Sequence, residues 1–179
     1  MLSVADILEA LTLTRPTAPQ IISEAAVDSR QVIPAALFIA LEGEQQDGHQ
    51  FVNDAFRRGA QAVLIEKEVD SQYPVLDLRN EHLPENLPPF DQPVTLLVSS
   101  SLVALQKIAS FWRRKLNIRV IGITGSVGKS TTKELVAEVL SQKYRTLKNI
   151  GNLNNEIGLP LTILRMTERH QRAVLEMGF

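Results

Sequence analysis

Residues 120–134, VIGITGSVGKSTTKE, hold the groups that phosphate chemistry needs. Gly125, Ser126, Val127 and Gly128 can bend the backbone so that several N–H groups point inward, towards an anion. Thr124 opens the turn. Lys129 adds a point charge for the β- and γ-phosphates, and Ser130 offers a hydroxyl to Mg²⁺, with Thr131 beside it. A surface turn that merely contains Gly-Lys would lack the flanks seen here, an apolar strand before and an amphipathic helix after. The spacing is unusual, however. In the usual G-x-x-x-x-G-K-[ST] pattern the first glycine falls at position 123, which is Ile123; Gly122 is one place early.

Other polar residues can serve a ligand. Asp28-Ser29-Arg30 follows a strand-like stretch. Ser29 can donate to a uracil or phosphate oxygen, and Arg30 can pair with a pyrophosphate; a capped turn with a solvated arginine is the plainer reading. Asp47-Gly48-His49 opens a helix, where N-capping by Asp47 and contact with a ligand can coexist. Asn152, Asn154 and Asn155 lie in a loop bounded by glycines, and asparagine both tolerates left-handed backbone and offers donor and acceptor. Glu176 ends a short apolar strand, where a carboxylate can hold Mg²⁺. His82 and His170 sit in polar loops and carry no assigned role.

The elements that position these residues follow from periodicity. Ser3 to Leu11 reads as a helix capped by Ser3 and Asp6, with Val4, Ile7, Leu8 and Leu11 on one face. Ile21–Ile22, Ala36–Leu41, Ala62–Ile65 and Val75–Leu78 read as strands, and Gln50 to Arg58 as a helix stopped by Gly59. Residues 79–93, RNEHLPENLPPFDQP, hold four of the nine prolines and read as a linker or irregular loop. A proline-rich recognition segment is disfavoured because no P-x-x-P register with basic flanks appears. Thr95–Val98 then reads as a strand opening a new domain. Residues 101–115 read as an amphipathic helix with Trp112 in the core. Ile118–Ile123 reads as a buried strand, and Thr131–Lys143 as a helix with Leu135, Val136, Val139 and Leu140 inward. Ala173–Met177 reads as a further strand.

The 179 residues are 44% hydrophobic and 22% charged, an ordinary globular composition. A net charge of −1 gives no sign of nucleic-acid binding, so none is expected. The chain has no cysteine, which excludes disulfides and thiolate chemistry. No apolar run approaches the ~20 residues of a membrane span, and the first residues do not read as a signal peptide. A cytoplasmic protein is expected.

Gly122, Gly125, Gly128, Lys129, Ser130 and Thr131 match G-x-x-G-x-x-G-K-[ST]-T, and on this pattern the chain resembles the Mur ligases and their relatives, the folylpolyglutamate and cyanophycin synthetases. The early glycine belongs to that pattern. GNLNNEIGLPLTILR (151–165), TTKE (131–134) and VLEMG (174–178) are similar to the MurF branch. Residues 27–66 resemble the UDP-binding domain of the MurE and MurF branches. The chain departs at Ala35-Ala36, where Pro-Gly is usual, and in the length of 79–93.

The resemblance implies an α/β fold. A small N-terminal UDP-muramoyl-peptide-binding domain over 1–92 would precede the start of a P-loop, mainly parallel-sheet ATP-binding central domain over 93–179, truncated at Phe179. The chain is thus expected to be the front part of a longer protein and inactive alone. The implied activity is ATP-dependent ligation in peptidoglycan-precursor synthesis. UDP-N-acetylmuramoyl-tripeptide would be joined to D-alanyl-D-alanine through an acyl phosphate, with ATP and Mg²⁺ as cofactors and the protein a monomer. Lys129 would be catalytic. Residues 124–131 with Asn154 and Asn155 would bind ATP, Ser29, Arg30, Asp47, Gly48 and His49 would bind the UDP substrate, and Ser130 and Glu176 would hold the metal. A MurE-type ligase adding a single amino acid, or a non-catalytic muramoyl-peptide-binding module, is the alternative.

Overall fold

The computed structural model describes residues 1–43, 45–151 and 153–178. Two compact units divide the chain, Met1–Ile108 and Ala109–Phe179.

The first unit is built on a five-stranded parallel sheet in the order β1-β2-β3-β5-β4. The strands are β1 (Ala25–Ala26), β2 (Leu37–Ile39), β3 (Ala62–Ile65), β4 (Val75–Asp77) and β5 (Val94–Leu97). β2, β3 and β5 are buried along their whole length, as expected for a parallel sheet covered on both faces. Phe38, Ala40, Val63, Ile65 and Leu97 form one core cluster with Val52, Ala55 and Phe56 of α2 (Val52–Arg57). α1 (Val4–Thr12) starts as the sequence predicts. Ser3 and Asp6 form a reciprocal capping box, and Val4, Ile7, Leu8 and Leu11 are buried.

Two expectations are corrected here. Ile21–Ile22 is not a strand; Ile21 makes only an isolated bridge to Ser3, because its neighbours bond the start of α1 instead. The strand after the proline-rich segment does not open the second domain. Its backbone lies between β3 and β4, so it completes the first sheet, and the division of the chain falls within α3 (Ser101–Lys115). Residues 79–93 contain no helix or strand.

The second unit carries a three-stranded parallel sheet, β6-β8-β7, from β6 (Arg119–Ile123), β7 (Thr146–Lys148) and β8 (Arg172–Glu176). α4 (Lys129–Ser141) packs on β7 and β8, and α5 (Gly158–Leu164) precedes β8. Trp112 is buried, with its indole N–H donating to the Met166 carbonyl at 2.9 Å. The inward face expected for α4 is wrong in part. Leu135 and Val139 are 63% and 71% exposed, whereas Lys133 and Ala137 are buried. β6 is only half-buried, since it forms an edge of its sheet.

Ala35 sits in the left-handed region at φ 66°, in a turn closed by Ala36 N–H to the Ile33 carbonyl at 3.1 Å. An L side chain there costs about 1–2 kcal/mol, and glycine returns part of that gain through unfolded-state entropy. Ala35→Gly should therefore stabilise the first unit by about 0.5–1 kcal/mol, read as a rise of a few degrees in thermal midpoint.

Candidate functional site

β6 ends at Ile123 and α4 begins at Lys129, so residues 124–128 form the connection. Gly125 (φ 138°) and Gly128 (φ 78°) hold backbone that side-chain-bearing residues rarely adopt. Gly128 is the N-cap of α4, and among the described residues this helix has no side-chain cap hydrogen bond. α1, by contrast, carries a full capping box. An uncapped N-terminus after a left-handed glycine turn presents free donors and a positive dipole end to an anion. Thr124, Ser126 and Val127 are exposed along the turn. Lys129 folds back, donating to the Gly125 carbonyl at 2.7 Å. Gly122 lies inside β6, paired with Leu175, and takes no part in the turn.

Ser130 and Glu176 meet beside the turn. The Ser130 hydroxyl donates to Glu176 Oε1 at 3.2 Å, and the Asn154 amide donates to the same oxygen at 2.9 Å. Glu176 is 3% exposed, and among the described residues its Oε2 has no hydrogen-bond partner. Burial pushes the Glu176 carboxyl up. The bonds from Asn154 and Ser130, with the charges of Lys133 and Lys129, outweigh that and hold it below its ordinary value. A hydroxyl and a carboxylate with one oxygen free of hydrogen bonds are a donor set that a hard divalent cation takes.

Asn149 escaped the sequence reading, yet it is fully buried and fixes this corner. Its amide donates to the Leu153 carbonyl at 2.7 Å and the Glu176 carbonyl at 3.0 Å. Its oxygen accepts from the Glu176 N–H at 2.7 Å. The only signal available was its place two residues before Gly151, which opens the glycine-bounded loop. Asn155 has a local task, its oxygen accepting from Ile157 and Gly158 N–H at 3.3 and 2.8 Å at the start of α5. Asn152 lies outside the described residues. Thr131 is exposed on the first turn of α4.

In the first unit the other candidates follow the carboxyl ends of the parallel strands, where open α/β sheets take ligands. After β1, Ser29 is buried, and Arg30 is 82% exposed, forked onto Asp28 at 2.8–3.2 Å. After β2, Asp47 caps a short 3-10 turn by accepting from His49 N–H at 3.0 Å. Gly48 is required by close approach, since a Cβ there would stand 2.7 Å from the Leu41 carbonyl oxygen. Both ring nitrogens of His49 are used inside the fold. Nδ1 lies 2.5 Å from Asp47, and Nε2 accepts from the Glu66 N–H at 3.0 Å, so the ring proton sits on Nδ1. Lys67 bonds Asp47 at 3.1 Å. His49 thus bolts the turn to the end of β3. Its backbone and ring bonds, then Lys67, hold the Asp47 carboxyl far below the usual range.

Comparison with known proteins gives the following. Residues 22–113 match the family described as "Mur ligase family, catalytic domain", and residues 123–179 match "Mur ligase middle domain". The chain is 44% identical over 168 residues to the UDP-N-acetylmuramoyl-tripeptide--D-alanyl-D-alanine ligase of Bacillus subtilis, covering 93% of this chain and 33% of that protein. It is 36% identical over 151 residues to the Escherichia coli protein of the same description, covering 84% and 29%. A crystal structure of MurF from Acinetobacter baumannii superposes with a TM-score of 0.75 at 31% identity, over 98% of this chain and 35% of that one. The MurF ligase of Thermotoga maritima in complex with ADP gives 0.67 at 33% identity, over 86% and 31%. The chain spans about a third of the length of the curated relatives it matches.

Asn149→Ala should unpair three buried backbone groups and destabilise the second unit by about 3 kcal/mol, measured by denaturant unfolding. Asp47 tests the first unit through pH. Its folded carboxyl lies below its unfolded value, so its contribution is complete above about pH 4 and fades as the pH falls further. Asp47→Asn should lower the thermal midpoint at pH 7 and flatten its fall between about pH 4 and pH 2.

Proposed function

This chain belongs to the Mur ligase family, and we propose on that premise that it works as part of a MurF-type ligase. The reaction joins UDP-N-acetylmuramoyl-tripeptide to D-alanyl-D-alanine with ATP as phosphoryl donor. Support for this branch comes from relatives at 32–44% identity that share one description, and from the residues TTKE and NNEIGLPLT. One observation carries the reading. A left-handed glycine turn delivers the uncapped N-terminus of α4 next to Ser130 and the Glu176 oxygen that takes no hydrogen bond among the described residues.

The chemistry has two stages. The γ-phosphoryl group of ATP passes to the terminal carboxylate of the tripeptide, releasing ADP and forming an acyl phosphate. The amine of the dipeptide then attacks that carbonyl, loses its proton, and inorganic phosphate leaves as the amide forms. The chain's own groups serve the first stage. N–H donors of residues 125–130 hold the phosphates, and Lys129 exchanges the Gly125 carbonyl for phosphate oxygens as charge moves across them. Ser130 and Glu176 would hold Mg²⁺, which when bound neutralises charge on the phosphates. Asn154 keeps the Glu176 carboxylate turned towards Ser130. Asn155 contributes to the site by fixing the start of α5.

The first unit takes the uridine diphosphate end of the muramoyl peptide. Among the described residues Arg30 is held by Asp28 alone, a partner it can exchange for a pyrophosphate. Asp47, Gly48 and His49 act through the rigid turn they build, with His49 as a bolt and the turn's backbone as the contacting surface.

The test is phosphate release by the full-length protein with Mg-ATP and UDP-muramoyl-tripeptide, with and without D-alanyl-D-alanine. Dipeptide-dependent release is expected, and Lys129→Ala should lower its rate about 10²–10³-fold. Release driven by a single amino acid with a shorter muramoyl peptide would move the protein to the MurE branch. No release with any acceptor, alongside retained muramoyl-peptide binding, would make it a binding module.

A further inference from the structure

One cation has no place in the chemistry above. Lys133 stands on α4 one turn beyond Lys129, with its side chain 2% exposed. A buried ammonium is costly unless it is paired and hydrogen-bonded. Its Nζ donates to the Gly151 carbonyl at 3.2 Å, and lies 3.2 Å from Glu134 Oε1 and 3.7 Å from Glu176 Oε2. Glu134 is 50% exposed and also pairs with Lys148. Glu176 is the carboxylate that shares the burial of Lys133, and the oxygen facing the ammonium is the one without a hydrogen bond.

We propose that Lys133 is a built-in counter-ion that keeps free divalent cations out of the phosphate site until a nucleotide delivers them. Around the turn, the ammonium groups of Lys129 and Lys133 stand against the one buried carboxylate of Glu176. A bare divalent cation meets a carboxylate already faced by one ammonium, with a second close by on the turn. A magnesium–nucleotide chelate is net negative, so the same excess of positive charge attracts it. Metal therefore enters as the chelate, and the carboxylate is kept available for it. Lys133 is a positioning residue in this scheme, acting through Glu176 and through the Gly151 carbonyl. The inference rests on the reading of Glu176 as a metal ligand.

Mn²⁺ is the probe, titrated by electron paramagnetic resonance into the full-length protein without nucleotide. Lys133→Gln removes the charge and keeps a donor for Gly151; Lys133→Met removes both. Both variants should bind Mn²⁺ about tenfold or more tightly than the parent, and Lys133→Arg should resemble the parent. Adding Glu176→Gln should abolish the gain, which places it at this carboxylate. A purely structural role for Lys133 would lower the melting temperature and leave Mn²⁺ affinity unchanged, and that result in folded Lys133→Gln overturns the proposal. Failure of the underlying reading looks different: Glu176→Gln alone would then leave the magnesium dependence of ATP binding unchanged.

Discussion

Glu176 buries a carboxylate at the carboxyl end of β8, and the second unit is arranged around satisfying it. Its backbone is clamped on both sides by Asn149, one side-chain oxygen takes bonds from Ser130 and Asn154, and the other faces Lys133. These partners come from the start of α4, from α4 one turn on, and from the loop at 149–154. Compensation of one buried charge therefore forces the phosphate turn, its helix and the asparagine loop into a single corner. An uncompensated carboxylate there would cost several kcal/mol, so the corner is as much a folding constraint as a site.

The first unit also rests on a parallel sheet but solves a different problem. Its parallel strands also end in polar loops, but most polar groups there are spent on rigidity. Glu66 accepts from the Ser101 N–H at 2.7 Å, tying the end of β3 to the start of α3. His49 ties the turn after β2 to that same strand end. The exposed cation Arg30 then projects from a fixed frame, which would limit the entropy lost on binding the proposed ligand.

Periodicity read well wherever burial was local. α1 and α3 declare themselves through a capping box and through apolar residues at helical spacing. It failed where tertiary partners decide. On α4 the apolar pattern points inward at Leu135 and Val139, yet the buried long side chain is Lys133, because Glu176 and the Gly151 carbonyl accept what a binary pattern counts as polar. Composition likewise cannot say which sheet a strand joins, and β5 follows a proline-rich segment while pairing with β3 and β4. Net charge misled by averaging. Residues 1–108 hold seven Lys and Arg against fifteen Asp and Glu, and residues 109–179 hold twelve against five. The unit with the phosphate turn is thus net positive by 7 inside a chain of net charge −1, a field suited to polyphosphate that the total conceals.

The early glycine shows how a spacing pattern can mix two physical tasks. Gly125 and Gly128 are bound to their places by left-handed backbone, and they shape the turn that an anion meets. Gly122 has no such constraint. It sits within β6, and a Cβ there would press on the terminal methyl of Met177 at 3.2 Å, a flexible contact that can give way. Its task is close packing beneath the residue after Glu176. A glycine there lets Met177 lie against the strand, and the Met177 N–H bonds the Ile123 carbonyl at 2.9 Å. That bond joins the last residue of β6 to the residue after the buried carboxylate, so the first glycine of the pattern packs beneath the corner that Glu176 occupies.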